Sequence, residues 1–201
     1  QRKKYLTTLT AEAGRLGHLV ENVLAYAQLE RGQARQHREH LSVRKLIDRL
    51  APRLAEHAEQ AGLKFAPDTT APAADAVLEI DVAAVEQILF NLVDNACKYA
   101  GPDAADRVIH LEVLPAPGPA RFVSLRVRDH GPGLSKEAAR RLFQPFSRSA
   151  AAAARGVPGV GLGLALSRRL SHRLGGSLSH DPSITDGAAF ILRLPLESSV
   201  P

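Results

Sequence analysis

At 201 residues, with 45% hydrophobic but only 4% aromatic side chains, the chain can bury one core of ordinary size, built mostly of Leu, Val, Ile and Ala. Its single cysteine, Cys97, excludes an intrachain disulfide and fits a reducing compartment; on its helix it reads as a small buried hydrophobe rather than a nucleophile. The net charge of +5 comes from scattered Arg without a basic, aromatic-laced stripe, so no nucleic-acid partner is expected, and there is no bilayer-length apolar run, signal peptide or His/Cys run with zinc spacing.

Residues 1–36 form one long helical pattern. Leu6, Leu9, Ala13, Leu16, Val20, Val23 and Ala27 step by three and four, a heptad seam widened by Leu19, Leu24 and Tyr26. Such a stripe needs a partner, either a second copy in a dimerising bundle, the favoured reading, or the domain that follows. With no Met and a start at Gln1, the chain is expected to be a piece of a longer protein. Residues 35–40 read as a polar link. Ser42 then caps a helix over residues 43–61, with Leu46, Ile47, Leu50, Leu54 and Ala58 on one face and an interruption at Pro52. Short strands follow at 63–66 and 77–80, separated by a loop at 67–76.

Residues 82–99 carry two stripes. Val82, Val85, Leu89, Leu92, Val93 and Ala96 make the buried one; Gln87, Asn91, Asn95 and Lys98 make a polar one. Two Asn amides and an ammonium one turn apart suit a metal-bound polyphosphate, since amide oxygens take a hard cation and the Lys offsets phosphate charge. The plain alternative is a solvated surface helix. Two alternating strands come next, at 108–114 and 121–129, read as an antiparallel pair. The second runs into Asp129-His-Gly-Pro-Gly, where a carboxylate at a strand end can accept from an exocyclic amine. Ser135 caps a short helix to Leu142, and Phe143-Gln-Pro-Phe-Ser-Arg follows. Residues 149–158 are Ala-rich and poorly patterned. Gly159-Val-Gly-Leu-Gly then opens a helix whose free N–H groups suit phosphate. Gly175-Gly176 stops it, and residues 177–180 and 189–194 read as a closing hairpin.

The Asn-rich helix, Asp-X-Gly-X-Gly, Phe-X-X-Phe and Gly-X-Gly-X-Gly, in that order, resemble the ATP-binding domain of sensor histidine kinases, in the group that includes DNA gyrase B, Hsp90 and MutL. The resemblance implies an α+β fold of the Bergerat type, a two-layer sandwich of mixed sheet and helices. It places a catalytic domain at residues 41–198 and part of a dimerisation and phosphotransfer hairpin at 1–36. By position it implies Asn95 as Mg²⁺ ligand and Asn91 on metal or phosphate, with Asn91 and Lys98 serving transfer. Lys98 would touch phosphate, Tyr99 the nucleoside and Asp129 the adenine, which Gly131 and Gly133 let approach. Phe143 and Phe146 would anchor a lid at 147–158, Arg148 would reach the γ-phosphate, and Gly159, Gly161, Leu162 and Gly163 would cradle phosphates.

Relatives that hydrolyse ATP carry a Glu where this chain has Asn91, which is no base, so transfer to a histidine fits better than hydrolysis. None of the eight His has the context of a phosphoacceptor, so the acceptor is expected on a missing upstream helix. The implied function is a cytoplasmic Mg-ATP-dependent protein-histidine kinase, homodimeric through its first helix, that passes the phosphoryl to an Asp of a response regulator. Its parent could be membrane-anchored. Val160 and Ala188 replace hydroxyl residues usual in the family, which motivates an alternative, a nucleotide-regulated docking module without transfer.

Overall fold

The computed structural model describes residues 17, 20, 22–27, 37–100, 106–114, 121–147 and 159–197. The first strand, β1 (Arg38–Ser42), overturns the polar link expected at 35–40. It pairs antiparallel with residues 77–81 in a separate two-stranded sheet. Its side chains are exposed or half-buried throughout, so it is held by backbone pairing and leaves no apolar alternation to read.

Ser42 Oγ accepts from Lys45 N at 3.3 Å and starts α1 (Val43–Gln60), whose Leu46, Ile47, Leu50, Leu54 and Ala58 are buried as the spacing requires. The interruption expected at Pro52 does not occur. Pro52 and Asp48, whose carbonyl loses a donor, both face solvent, where the missing bond costs less than in the core. β2 (Lys64–Asp68) follows, then a 3₁₀ turn at Pro72–Asp75 inside the expected loop, then β3 (Val77–Asp81). The Asp81 carboxylate accepts from Ala84 N at 3.2 Å and caps α2 (Val82–Tyr99).

β4 (Val108–Leu114) and β5 (Phe122–Arg128) alternate between buried and half-buried at every step and pair antiparallel. The short α3 (Lys136–Arg141) is capped by Ser135. α4 (Gly163–Arg173) leads into β6 (Ser177–His180) and β7 (Ala189–Pro195), the expected hairpin. With β2 parallel to β4, the main sheet is mixed and ordered β2-β4-β5-β7-β6.

The helices lie on one face of this sheet, the two-layer α/β arrangement expected. α2 packs against α1, α4 and β5, and its Val85, Ile88, Leu89, Leu92 and Val93 are sealed in the core. Each such side chain contributes about 2 kcal/mol relative to an exposed one. Of the first segment, residues 22–27 are helical; Asn22 Oδ1 accepts from Gln87 Nε2 at 2.9 Å and Arg169 lies over the Tyr26 ring at 4.6 Å. Val20, Val23 and Leu24 are exposed. The other seam residues, Leu6, Leu9, Ala13, Leu16 and Leu19, lie outside the described residues, as do Arg148 and 149–158.

Candidate functional site

The polar stripe of α2 is only half solvated. Asn91 is 4% exposed; its Nδ2 donates to Ser167 Oγ at 3.2 Å and to the Gly163 carbonyl at 3.4 Å. One turn on, the Asn95 amide nitrogen is buried without a hydrogen-bond partner. An orphaned buried donor costs about 1–3 kcal/mol, so the site holds in reserve a contact that a ligand would complete. Lys98 pairs with Asp94, which also meets His57 Nε2 at 3.2 Å. Burial pushes the Asp94 carboxyl up, but His57 and Lys98 outweigh it and hold it below the ordinary carboxylate range. Lys98 is therefore positioned by a carboxylate of its own helix. Gln87, the remaining member of the stripe, is spent on Asn22. Cys97 is pushed up to about 12, chiefly by burial, and is inert as a nucleophile, as its place on the helix suggested.

Three glycine segments close on this helix. A methyl group at Gly163 would lie 3.5 Å from Asn91 Oδ1, one at Gly159 3.9 Å from Lys98 Nζ, and one at Gly131 3.0 Å from the Tyr99 carbonyl. The Gly-rich turn thus covers the Asn91–Lys98 stretch, and the Asp-X-Gly-X-Gly turn covers its C-terminal end. Leu162 is buried, and α4 begins at Gly163 without a side-chain cap, so its first N–H groups remain available. Gly161 has φ +77°, and a Cβ there would strike the Ser147 carbonyl at 2.5 Å. Its own carbonyl accepts from Phe146 N at 3.0 Å, which ties the Phe segment to the Gly-rich turn. Phe143 is half-buried with Arg168 over its ring at 4.9 Å, whereas Phe146 is 67% exposed.

Asp129 is 5% exposed at the end of β5. Its Oδ1 accepts from Gly131 N at 2.8 Å and Ala188 N at 3.3 Å. Burial raises its affinity for a proton despite these two donors, the mark of a carboxylate held in a desolvated pocket. Gly133 meets Gly187 across the turn: a Cβ at Gly133 would be 2.9 Å from the Gly187 carbonyl.

Three supports escaped the sequence. Ser167, fully buried on α4, orients Asn91; the His57–Asp94 pair orients Lys98; Gly187 closes on Asp129, whose carbonyl a Cβ there would approach to 1.9 Å. An Asp-Gly pair in a hairpin loop was the only signal for the last, and it reads as a turn.

The description "Histidine kinase-, DNA gyrase B-, and HSP90-like ATPase" matches residues 80–198. The sensory/regulatory protein RpfC of Xanthomonas campestris pv. campestris is 30% identical over 204 residues, covering 100% of this chain and 27% of that protein. The signal transduction histidine-protein kinase BarA of Escherichia coli K12 is 26% identical over 195 residues, covering 97% of this chain and 21% of that protein. The chain therefore spans about a quarter of the length of such relatives. Among solved structures, full-length ShkA in complex with AMPPNP superposes with a TM-score of 0.72 at 27% identity, over 99% of this chain and 40% of that one. The Acinetobacter baumannii histidine kinase AdeS shares the fold, with a TM-score of 0.70 at 21% identity over 96% of this chain and 84% of that one. The chain belongs to the family of histidine kinase-, DNA gyrase B- and HSP90-like ATPases, and its ATP-binding domain is of the sensor histidine kinase kind.

Proposed function

We propose that the chain is the catalytic part of a two-component histidine kinase. It binds Mg-ATP between α2 and the Gly-rich turn and passes the γ-phosphoryl to a histidine of a hairpin helix. In that step the bond from Pγ to the bridging oxygen breaks, a bond from imidazole nitrogen to phosphorus forms, and ADP leaves. The observation that carries the reading is the close approach of Gly159, Gly163 and Gly131 to Lys98, Asn91 and Tyr99.

Asp129 would accept from the adenine amine through Oδ2, since both backbone donors use Oδ1. Gly131 and Gly133 would line the base, and Tyr99 the nucleoside. Lys98 and the N–H groups around Gly161, Leu162 and Gly163 would hold phosphate oxygens. With its Nδ2 spent on Ser167 and the Gly163 carbonyl, Asn91 has only Oδ1 to offer, and the Oδ1 atoms of Asn91 and Asn95 are the donor type that a hard cation takes. These oxygens would hold Mg²⁺, which when bound supplies neutralisation of polyphosphate charge, while the unpartnered Asn95 Nδ2, an N–H donor, would suit a phosphate oxygen.

Transfer is favoured over hydrolysis because Asn91 offers no base, Glu86 is paired with Arg53, and Asp94 is paired with Lys98 and His57. Residues 1–36 would belong to the hairpin and 41–198 to the catalytic domain. The exposure of Val20, Val23 and Leu24 supports a homodimer through the first helix. A response-regulator Asp would receive the phosphoryl next.

Calorimetric titration with Mg-AMPPNP tests the site. Asn95→Ala and Asp129→Ala should each weaken binding roughly 10- to 100-fold, the worth of a charged contact. Labelled ATP and a separately supplied phosphoacceptor hairpin then test the reaction. Labelled hairpin supports the kinase. Binding without transfer identifies a nucleotide-regulated docking module, and steady phosphate release an ATPase. No Mg-dependent binding at all overturns the nucleotide site.

A further inference from the structure

On the outer face of the sheet, away from the core, three potential metal ligands converge. Asp106 precedes β4, His110 lies on β4, and His130 follows Asp129 in the turn after β5. One ligand atom from each falls within 4.8 Å of the others. His110 stands opposite Arg128 in the β4–β5 register, which brings it beside the turn that carries His130. Neither histidine has a part in the nucleotide site.

The His130–Asp106 gap suits a small cation better than a hydrogen bond. His130 Nε2 is a buried nitrogen with no hydrogen-bond partner, and it faces Asp106 Oδ2 at 3.8 Å, too far to bond directly. Two ligands at tetrahedral angles on one zinc ion stand about 3.4 Å apart. The gap is thus within a few tenths of an ångström of what such an ion spans. The two imidazole rings have centroids 5.3 Å apart at 75° to one another. Rings bound through nitrogen to one tetrahedral ion sit at about 5 Å.

The two neighbouring guanidinium groups are engaged elsewhere: Arg128, opposite His110 in the register, donates to Asp186 Oδ2 at 2.7 Å, and Arg107 Nε donates to the Gly62 carbonyl at 3.1 Å, so with Asp106 and Asp186 the local charge is balanced. Asp186 Oδ2 also lies 4.0 Å from His130 Nδ1, where it can accept from that nitrogen after a small shift and orient the ring.

We propose that Asp106, His110 and His130 bind one divalent transition ion of the zinc class, with water in the fourth position. Two imidazoles and one carboxylate select such an ion over Mg²⁺, which prefers oxygen ligands alone. The ion would pin the segment before β4 to the turn beside Asp129. The site shares the Asp129–Gly131 turn with the nucleotide site but uses none of the residues assigned to nucleotide.

The test uses the whole chain, stripped of metal by a chelator, without nucleotide. Zn²⁺ is titrated by calorimetry, and Co²⁺ is added in a parallel sample as a visible-absorption probe of coordination. The expected result is one Zn²⁺ per chain, a tetrahedral Co²⁺ band, and no response to Mg²⁺. His110→Ala and His130→Ala should each weaken Zn²⁺ binding roughly 100-fold and abolish the band, and Asp106→Asn should weaken it roughly 10-fold. His40→Ala, on the distant β1, serves as the control and should leave both unchanged. Far-UV circular dichroism of each metal-free variant checks folding, and His110→Asn replaces any alanine variant that fails to fold. Absence of stoichiometric binding overturns the proposal, as does retention of wild-type affinity in either histidine variant.

Discussion

Asp129 and Gly187 show how one residue's chemistry is set by another far along the chain. A carboxylate at 5% exposure is costly to keep ionised, and two backbone N–H groups offset part of that cost. One of them, from Ala188, is delivered only because Gly187 turns the chain at φ +143° with no Cβ. A methyl group there would sit 1.9 Å from the Asp129 carbonyl, which is backbone and has nowhere to go. Gly187→Ala should therefore lower stability by about 1–3 kcal/mol, the cost of a non-glycine residue held in a strained backbone conformation. Urea unfolding followed by circular dichroism measures this directly. A change below about 1 kcal/mol would mean that the turn relaxes freely and that Asp129 is not held by it.

Elements here obey periodicity where they bury a face and escape it where they do not. α1 is set by its apolar face strongly enough to run through Pro52, which forfeits a backbone bond on the solvent side. Pro52→Ala restores that bond without touching the core, so it should stabilise the protein by about 1–3 kcal/mol, with a higher urea midpoint and an unchanged slope. A midpoint that falls would show that the proline serves the packing of α1. The outer face of the main sheet makes a second case. Asp181 accepts from the Ser183 hydroxyl at 2.6 Å and lies 3.5 Å from Arg126, which also meets Glu112 at 2.7 Å. The Ser183 hydroxyl first, then its backbone N–H and Arg126, hold Asp181 below the ordinary carboxylate range.

A depressed carboxylate contributes stability above its unfolded value, about 3.9, and loses it as pH falls through its folded value. Asp181→Asn should thus melt about 2–4 °C below the parent protein at neutral pH, and the gap should close as the pH drops below about 4. A gap that stays constant in acid would assign the effect to packing instead. The same division decides what the sequence disclosed. α1, α2, β4, β5 and the final hairpin each bury one face, and their spacing betrayed them. β1 buries none, and its residues read as a link. Asn91, Asn95, Lys98 and Asp129 were conspicuous because polar groups stood at regular helical or strand-end positions. Ser167, the His57–Asp94 pair and Gly187 were silent, since each acts on a residue from a distant part of the chain and looks ordinary in its own segment.

At the scale of the molecule, the question is where the ATP-binding unit starts. The sequence resemblance set its beginning near residue 41, but β1 begins at Arg38 and pairs along its whole length with β3, the strand that leads into α2. β1 also delivers Ser42, the cap of α1. Residues 22–27, by contrast, meet the domain through half-buried contacts only, Asn22 with Gln87, Tyr26 with Arg169, and Ala25 and Tyr26 against the margin of the core. Two shortened chains separate these roles. One beginning at residue 37 keeps both sheets and should bind Mg-AMPPNP within about twofold of the full chain, since among the described residues those it loses share no partner with Asn91, Asn95 or Asp129. One beginning at residue 43 loses the α1 cap, worth about 1 kcal/mol, and bares the edge of β3. It should melt several degrees lower and tend to associate through that edge. If the two melt alike, β1 is an ornament on the domain, and the boundary drawn at residue 41 stands. If the longer one already fails to bind nucleotide, the first helix is part of the site's support, and the separation of hairpin from catalytic domain must be abandoned.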